Sequence, residues 1–425
     1  LGWLGDPSAR VQFFAAQSLG ALRARAAVEP LYALVEAIAD GDPWLRHAAV
    51  YALHRIDDRG AALARARAQD RSVRLAVLLQ LRRAGDPAIA RFLTDPDPLL
   101  VVEAARAIYD RPIAEAMPAL AALAGTALPY RDDDPQTSHA LHRRVIGAAR
   151  TVGSEDAALG LAAHAADAEN PAAMRELALS SLGEFVEPGP RDLAMGWWRP
   201  LVSRPASVVH AALDTYGKVL AEGDLGTQAL EVAAAHGRVP LDDAALKALV
   251  SDGSETAARR VVAFQALVAR SSPELAGALE TALVAEPPTL RIAARDYLAA
   301  NQPERAIESV LALAEDAPLR ERQHGIAAVA RIGGPAAVAF LGNRFDLLDA
   351  GELDPALELD LREAVASSGD AALMARAARE PSGDAVADRS WALEGGDPVR
   401  GASVFERQGD CRRCHGGGGH GAGAG

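Results

Sequence analysis

Asp6-Pro7-Ser8-Ala9-Arg10-Val11-Gln12-Phe13-Phe14-Ala15-Ala16-Gln17-Ser18-Leu19-Gly20 is the stretch that decides the fold. An Asp before Pro sets a capping oxygen beside a residue whose φ is already helical, the preferred opening of a helix. Val11, Phe14, Ala15, Leu19 and Leu22 then recur at helical spacing and are expected to form its apolar face. Arg10 lies one turn beyond the Asp on the same side, where it can pair with a carboxylate of its own repeat or of a neighbour.

The phrase returns along the chain. Asp42-Pro43 with Arg46, Asp70 with Arg74 and Asp316 with Arg320 repeat it. Asp97-Pro98, Asn170-Pro171 with Arg175, Pro287-Pro288 with Arg291, and Asp354-Pro355 are looser copies. Arg10, Arg46 and Arg74 are 36 and 28 residues apart, and Arg291 and Arg320 are 29 apart, a period of roughly thirty. In the copy at Leu290 the apolar face reads Leu290, Ala293, Ala294, Tyr297 and Leu298. Second, more variable helical stretches lie between copies, such as 27–39 and 114–124. Paired helices that are each apolar on one side must stack on neighbouring pairs to bury it. The expectation is an all-α fold, an α-solenoid of helical-pair repeats of ~30 residues over 1–379. This body resembles HEAT-like repeats of the short kind, a resemblance that informs fold more than function.

Composition agrees. The 425 residues are 50% hydrophobic but only 4% aromatic, so the core must be Ala, Leu and Val, which suits close-packed helices better than a β-sandwich. A net charge of −13 repels a phosphate backbone, so nucleic acid is not an expected partner. No apolar run approaches the ~18 residues of a bilayer span, so no transmembrane segment is expected. Two stretches interrupt the rhythm. Residues 126–141, with Pro129 and Arg131-Asp132-Asp133-Asp134-Pro135, read as a long surface loop, and Trp197-Trp198-Arg199-Pro200 reads as buried packing at a repeat junction.

Both cysteines fall in one pentapeptide, Cys411-Arg412-Arg413-Cys414-His415. C-x-x-C-H is the attachment sequence of c-type haem: two thiols become thioethers to one porphyrin, and the adjacent His is the proximal iron ligand. Cys411 and Cys414 are therefore the candidate haem-attachment residues and His415 the candidate iron ligand. Three other readings stay open: a redox disulfide, a chance occurrence of so short a motif, and a zinc site that adds His420, though adjacent Cys414 and His415 fit one tetrahedral ion poorly. The remaining histidines (His47, His54, His139, His142, His164, His210, His236 and His324) are scattered singly and read as ordinary surface or packing residues. No Ser/His/Asp arrangement, P-loop or dinucleotide fingerprint is present, and no catalytic residue is expected.

The stretch Gly396-Asp397-Pro398-Val399-Arg400-Gly401-Ala402-Ser403-Val404-Phe405 looks like the N-terminal helix of a class I cytochrome c domain, with Gly401 and Phe405 at positions that pack near the haem edge. Together with two middle stretches, Arg143–Arg150 and the one from Arg175–Ala178 through Pro188, Arg191-Asp192 and Gly196–Pro200, the order of parts resembles planctomycete-type membrane-bound dehydrogenase-like haem-binding proteins. That resemblance implies repeats over 1–379, a linker over 380–396 and the start of a cytochrome c domain over 397–425. It also implies one covalent haem c, and an electron donor or acceptor protein or a fused dehydrogenase module as partner. A protein partner on the solenoid is a further expectation. The chain reads as a piece of a longer periplasmic or cell-envelope protein, with the distal haem ligand, generally Met, beyond it. Met117, Met174, Met195 and Met374 all precede the motif.

Overall fold

A computed structural model describes residues 1–129, 134–313, 316–378, 383–384 and 387–405. Among these the regular elements are α- and 3₁₀-helices, and the one strand-like pairing is an isolated bridge between Arg191 and Trp198. The all-α helical-repeat class read from the sequence is the class of the molecule. It divides into two compact units, 1–240 and 241–425.

Within 1–240 helices pack on their next-but-one neighbours. Ala9–Ala21 lies on Pro43–Ile56, and that helix lies on Arg71–Ala84. Pro98–Asp110, Pro135–Val152, Ala172–Gly183 and Gly226–Ala235 continue the layer, while Met117–Ala122, Glu155–Ala166 and His210–Glu222 form the second layer. Within 241–425 the same rule stacks Ala257–Ala269, Pro288–Asn301, Leu319–Ile332 and Glu358–Ser368 in succession. This alternation gives an α-solenoid, because each helix pair buries its apolar sides only against adjacent pairs.

Small residues set the spacing. A Cβ on Gly20 would sit 2.6 Å from the Ala52 Cα, so these two helices approach backbone to backbone. That contact shifts the buried face of the first helix. Ala16 and Gly20 are covered, and Ala15 and Leu19 of the expected face pack against the core, whereas Phe14 is 54% and Leu22 is 76% exposed, so only part of that face turns inward. In the Pro288–Asn301 helix the expected face does turn inward, with Leu290, Ala294 and Leu298 fully buried.

The helix openings follow Asp-Pro chemistry with two changes of register. Asp42 accepts from the Trp44 and Leu45 amides, and Asp70 and Asp97 cap in the same way. At the first copy the cap position is Ser8, and Asp6 accepts the Ser8 amide in a turn ahead of the helix. At Asp316 the helix starts later, at Leu319 after Pro318. The expected loop over 126–141 is shorter than expected. Asp134 caps a helix that begins at Pro135, and Ser138 and Leu141 are buried in it.

Candidate functional site

In six repeats an arginine occupies the fourth position of a helix: Arg46, Arg74, Arg175, Arg260, Arg291 and Arg322. Four of them reach both backward and sideways. Arg74 Nη1 donates to the Ala68 and Gln69 carbonyls at 2.9 Å, while Nε and Nη2 clasp Asp95 at 2.9 and 3.2 Å. Arg175 donates to the Ala165 carbonyl and clasps Asp224, and Arg291 donates to the Ala285 and Glu286 carbonyls and clasps Glu321. Arg322 pairs with Asp354 and with the Ala317 carbonyl, so it holds the place expected for Arg320. Arg46 bonds Asp40 of its own repeat, and Arg260 contributes the backward bond to Val250. One planar fork thus satisfies carbonyls left over at a turn and, in most repeats, an acid from the next repeat.

The repeat rhythm breaks over 184–205, where a non-helical strap crosses the ends of two helices. Its hairpin is organised by Asp192, whose carboxylate accepts from the Ala194, Met195 and Trp197 amides at 3.1, 2.6 and 3.1 Å. Gly196 turns the hairpin with φ of +67°, a region that strains residues with a side chain. Four arginines fasten the strap. Arg150 donates from Nη1 to the Arg191 carbonyl at 3.0 Å, and from Nη2 to Glu184 and the Gly189 carbonyl at 3.1 Å each. Arg204 bonds the Phe185 and Arg150 carbonyls at 2.7 Å, and its guanidinium lies over the Phe185 ring. Arg199 donates to the Tyr109 and Asp110 carbonyls, covering the end of the Pro98–Asp110 helix, and stacks on Trp197. Arg191 lies over Trp198.

The electrostatics follow from burial. Tyr109 is 2% exposed, and burial, with the charge of Asp192 next, pushes its phenol up to about 12. Burial lowers the Arg204 guanidinium, and the charge of Arg150 adds to that. The two tryptophans are not the junction packing expected of them: Trp197 is 52% and Trp198 67% exposed. The hairpin lifts both indoles outward onto arginines instead of into the repeat core. The strap joins the two stretches singled out in the sequence, since Arg150 closes one and bonds the carbonyl of Arg191 in the other.

The expected haem residues Cys411, Cys414 and His415 lie outside the described residues, as does His420. Of the segment ahead of them, Asp397 caps the Pro398–Ser403 helix by accepting from the Val399 and Arg400 amides. Phe405 is half-buried there, and a Cβ on Gly401 would meet nothing within 4 Å. Among the described residues no group of three His, Cys, Asp or Glu side chains could hold a metal ion, and no helix is long and apolar enough to cross a membrane.

Residues 1–64 match the family model for HEAT repeats. The match covers the first copies of the Asp-Pro phrase. No curated protein matches the chain. Among solved structures, the crystal structure of an engineered protein aligns over 88% of this chain and 95% of that chain, at 17% identity and a TM-score of 0.32.

One pairing escaped the sequence reading. His142 and His164, expected as single packing residues, are 0% and 1% exposed and touch through Nδ1 and Nε2 at 3.0 Å. They sit on the packed helices Pro135–Val152 and Glu155–Ala166, 22 residues apart. Linear spacing carries no signal for a contact made across two helices.

Proposed function

We propose that the chain is a non-catalytic helical-repeat scaffold that holds a protein partner. The observation that carries this reading is the Trp197–Trp198 pair, displayed in solvent on a strap whose own arginines are tied to helix ends. Exposed tryptophan and arginine on a preorganised loop are the side chains that dominate binding at protein interfaces. The HEAT-repeat match supports the scaffold, and the arginine forks that join successive repeats keep such a surface rigid. The test is affinity purification of the chain from its native host with quantitative mass spectrometry, beside W197S/W198S. A stoichiometric partner retained by the wild type and lost by the variant supports the reading. Identical partner sets at matched expression overturn it.

A second reading rests on Cys411-Arg412-Arg413-Cys414-His415. Two thiols and an imidazole at this spacing are the attachment groups and the iron ligand of a c-type haem, which supplies one-electron chemistry when bound. In that case Cys411 and Cys414 carry the thioethers and His415 the iron. The haem would exchange electrons with a donor or acceptor protein or a fused dehydrogenase module, and the protein would work in the periplasm or cell envelope, where covalent attachment takes place. The same donors suit zinc. Expression with a cytochrome c maturation system separates the two. Covalent haem that vanishes in C411S/C414S supports electron transfer, and stoichiometric zinc without porphyrin leaves the scaffold alone.

A further inference from the structure

The helix Gly334–Ala350 carries Phe340, Arg344 and Leu347 at i, i+4 and i+7, one side of a helix, and that side lines a cavity of about 130 Å³ in the unit 241–425. Val310, Ile326, Phe340, Leu353 and Leu357, all buried core residues, form its apolar walls, and half-buried Leu313 and Leu347 also face it. Protein interiors hold few voids larger than a water molecule, so an open space of this size forfeits contacts on its walls. An apolar cavity of about 150 Å³ is large enough to take in benzene, so a guest of about six carbons is the matching size.

The charged groups around the cavity differ in what they meet. Arg322 donates from Nη2 to Asp354 at 2.8 Å and from Nε to the Ala317 carbonyl at 3.0 Å, and Asp354 also accepts the Ala356 amide. That pair is answered within the fold. Arg344 is half-buried, and its side chain has no ion pair or hydrogen bond among the described residues. Its guanidinium lies 5.3 Å from the centre of the Phe340 ring. Phe340 is itself a wall of the cavity, so the stack keeps the cation at the cavity instead of out in solvent. Glu352 also borders the space, but it is exposed and forms no ion pair with Arg344.

We propose that this cavity binds a small apolar carboxylate, with its hydrocarbon part against Val310, Ile326, Phe340 and Leu353 and its head on the Arg344 guanidinium. The apolar walls supply affinity by burial, and the cation selects the charge of the head group. A carboxylate also matches the planar fork of a guanidinium. The site is independent of both the Trp197–Trp198 strap and the Cys411–His415 motif, which lie elsewhere in the sequence.

Sodium hexanoate, sodium acetate, 1-hexanol and hexylamine are titrated into the full chain by calorimetry at neutral pH and constant ionic strength. Hexanoate should bind saturably at one site, at least fivefold more tightly than each of the other three. Acetate tests the head without the chain, hexanol the chain without the charge, and hexylamine the opposite charge. Arg344→Met keeps an apolar stem over Phe340 and removes the cation. It should weaken hexanoate at least fivefold, leave hexanol within twofold, and melt as the wild type does. Leu347→Trp crowds the cavity and should weaken hexanoate and hexanol together; if that variant does not fold, R344M decides alone. No saturable hexanoate binding at millimolar concentration, equal binding of acetate, hexanol or hexylamine, or wild-type hexanoate affinity in either folded variant would overturn the proposal.

Discussion

His142 and His164 show at the residue scale what burial does to a titrating group. Desolvation is the largest cause for both and takes each imidazole from 6.5 down to about 4. The other His and the charge of His139 act in the same direction on His142, while the Ala124 backbone and then Asp167 oppose it at His164. Asn170 donates to the His164 carbonyl and leaves the ring alone. The native pair therefore stays neutral where the unfolded chain takes up protons. Stability due to these rings is fully present above about pH 6.5, and it falls as pH drops toward about 4, where the native rings begin to protonate. A change from 6.5 to about 4 corresponds to about 3 kcal/mol for each ring. Urea midpoints at pH 4.5, 5.5, 6.5 and 7.5 should fall steeply on the acid side for the wild type and more gently for H142L/H164L. Parallel pH profiles for the two proteins would show that the rings do not govern acid sensitivity. None of this was legible beforehand, because the sequence shows two histidines in different helices and burial is a property of their packing.

Glu321 represents the element scale. Its side chain is 2% exposed between Arg291 and Arg295, whose side chains are 19% and 11% exposed. Burial would raise its carboxyl, but hydrogen bonds from Arg291 and then Arg295 outweigh that and hold it below the usual glutamate value. The fork from one helix thereby fixes the start of the next. Removing the acid leaves two arginines poorly solvated and facing each other, so Glu321→Ala should lose about 3–5 kcal/mol in denaturant unfolding. A loss under about 1 kcal/mol would mean that solvent screens the cluster. Much of this scale could be read in advance. The Asp-Pro openings and the forward Arg were visible at Arg46, Arg74, Arg175 and Arg291, including pairing with a neighbour's acid. The reading slipped where the cap was not the Asp: Pro318 moves the last fork from Arg320 to Arg322, and Ser8 starts the first helix. It also misplaced Trp197 and Trp198, since apolar rings are expected inside and only the Asp192 hairpin, formed by local amides, turns them out.

For the whole molecule, repetition sets how far a disturbance travels. Every repeat buries its apolar face on its neighbours, so stability is a sum of local terms with nearest-neighbour coupling. Leu361 is fully buried in Glu358–Ser368, and that helix packs on Leu319–Ile332, Gly334–Ala350 and Ala371–Ala377. Leu361→Ala removes apolar contact and leaves a cavity, at a cost of about 2–5 kcal/mol. In a protein with one cooperative core that loss would appear at every amide that exchanges through global unfolding. In a solenoid it should fade within a few repeats. Hydrogen–deuterium exchange with mass spectrometry on the full chain is therefore expected to show faster exchange in Leu319–Ile332, Gly334–Ala350 and Ala371–Ala377. Peptides from Pro43–Ile56 and Arg71–Ala84 should exchange at the wild-type rate. Acceleration of both sets by the same factor would mean that the repeats unfold as one body, and the nearest-neighbour description would fail.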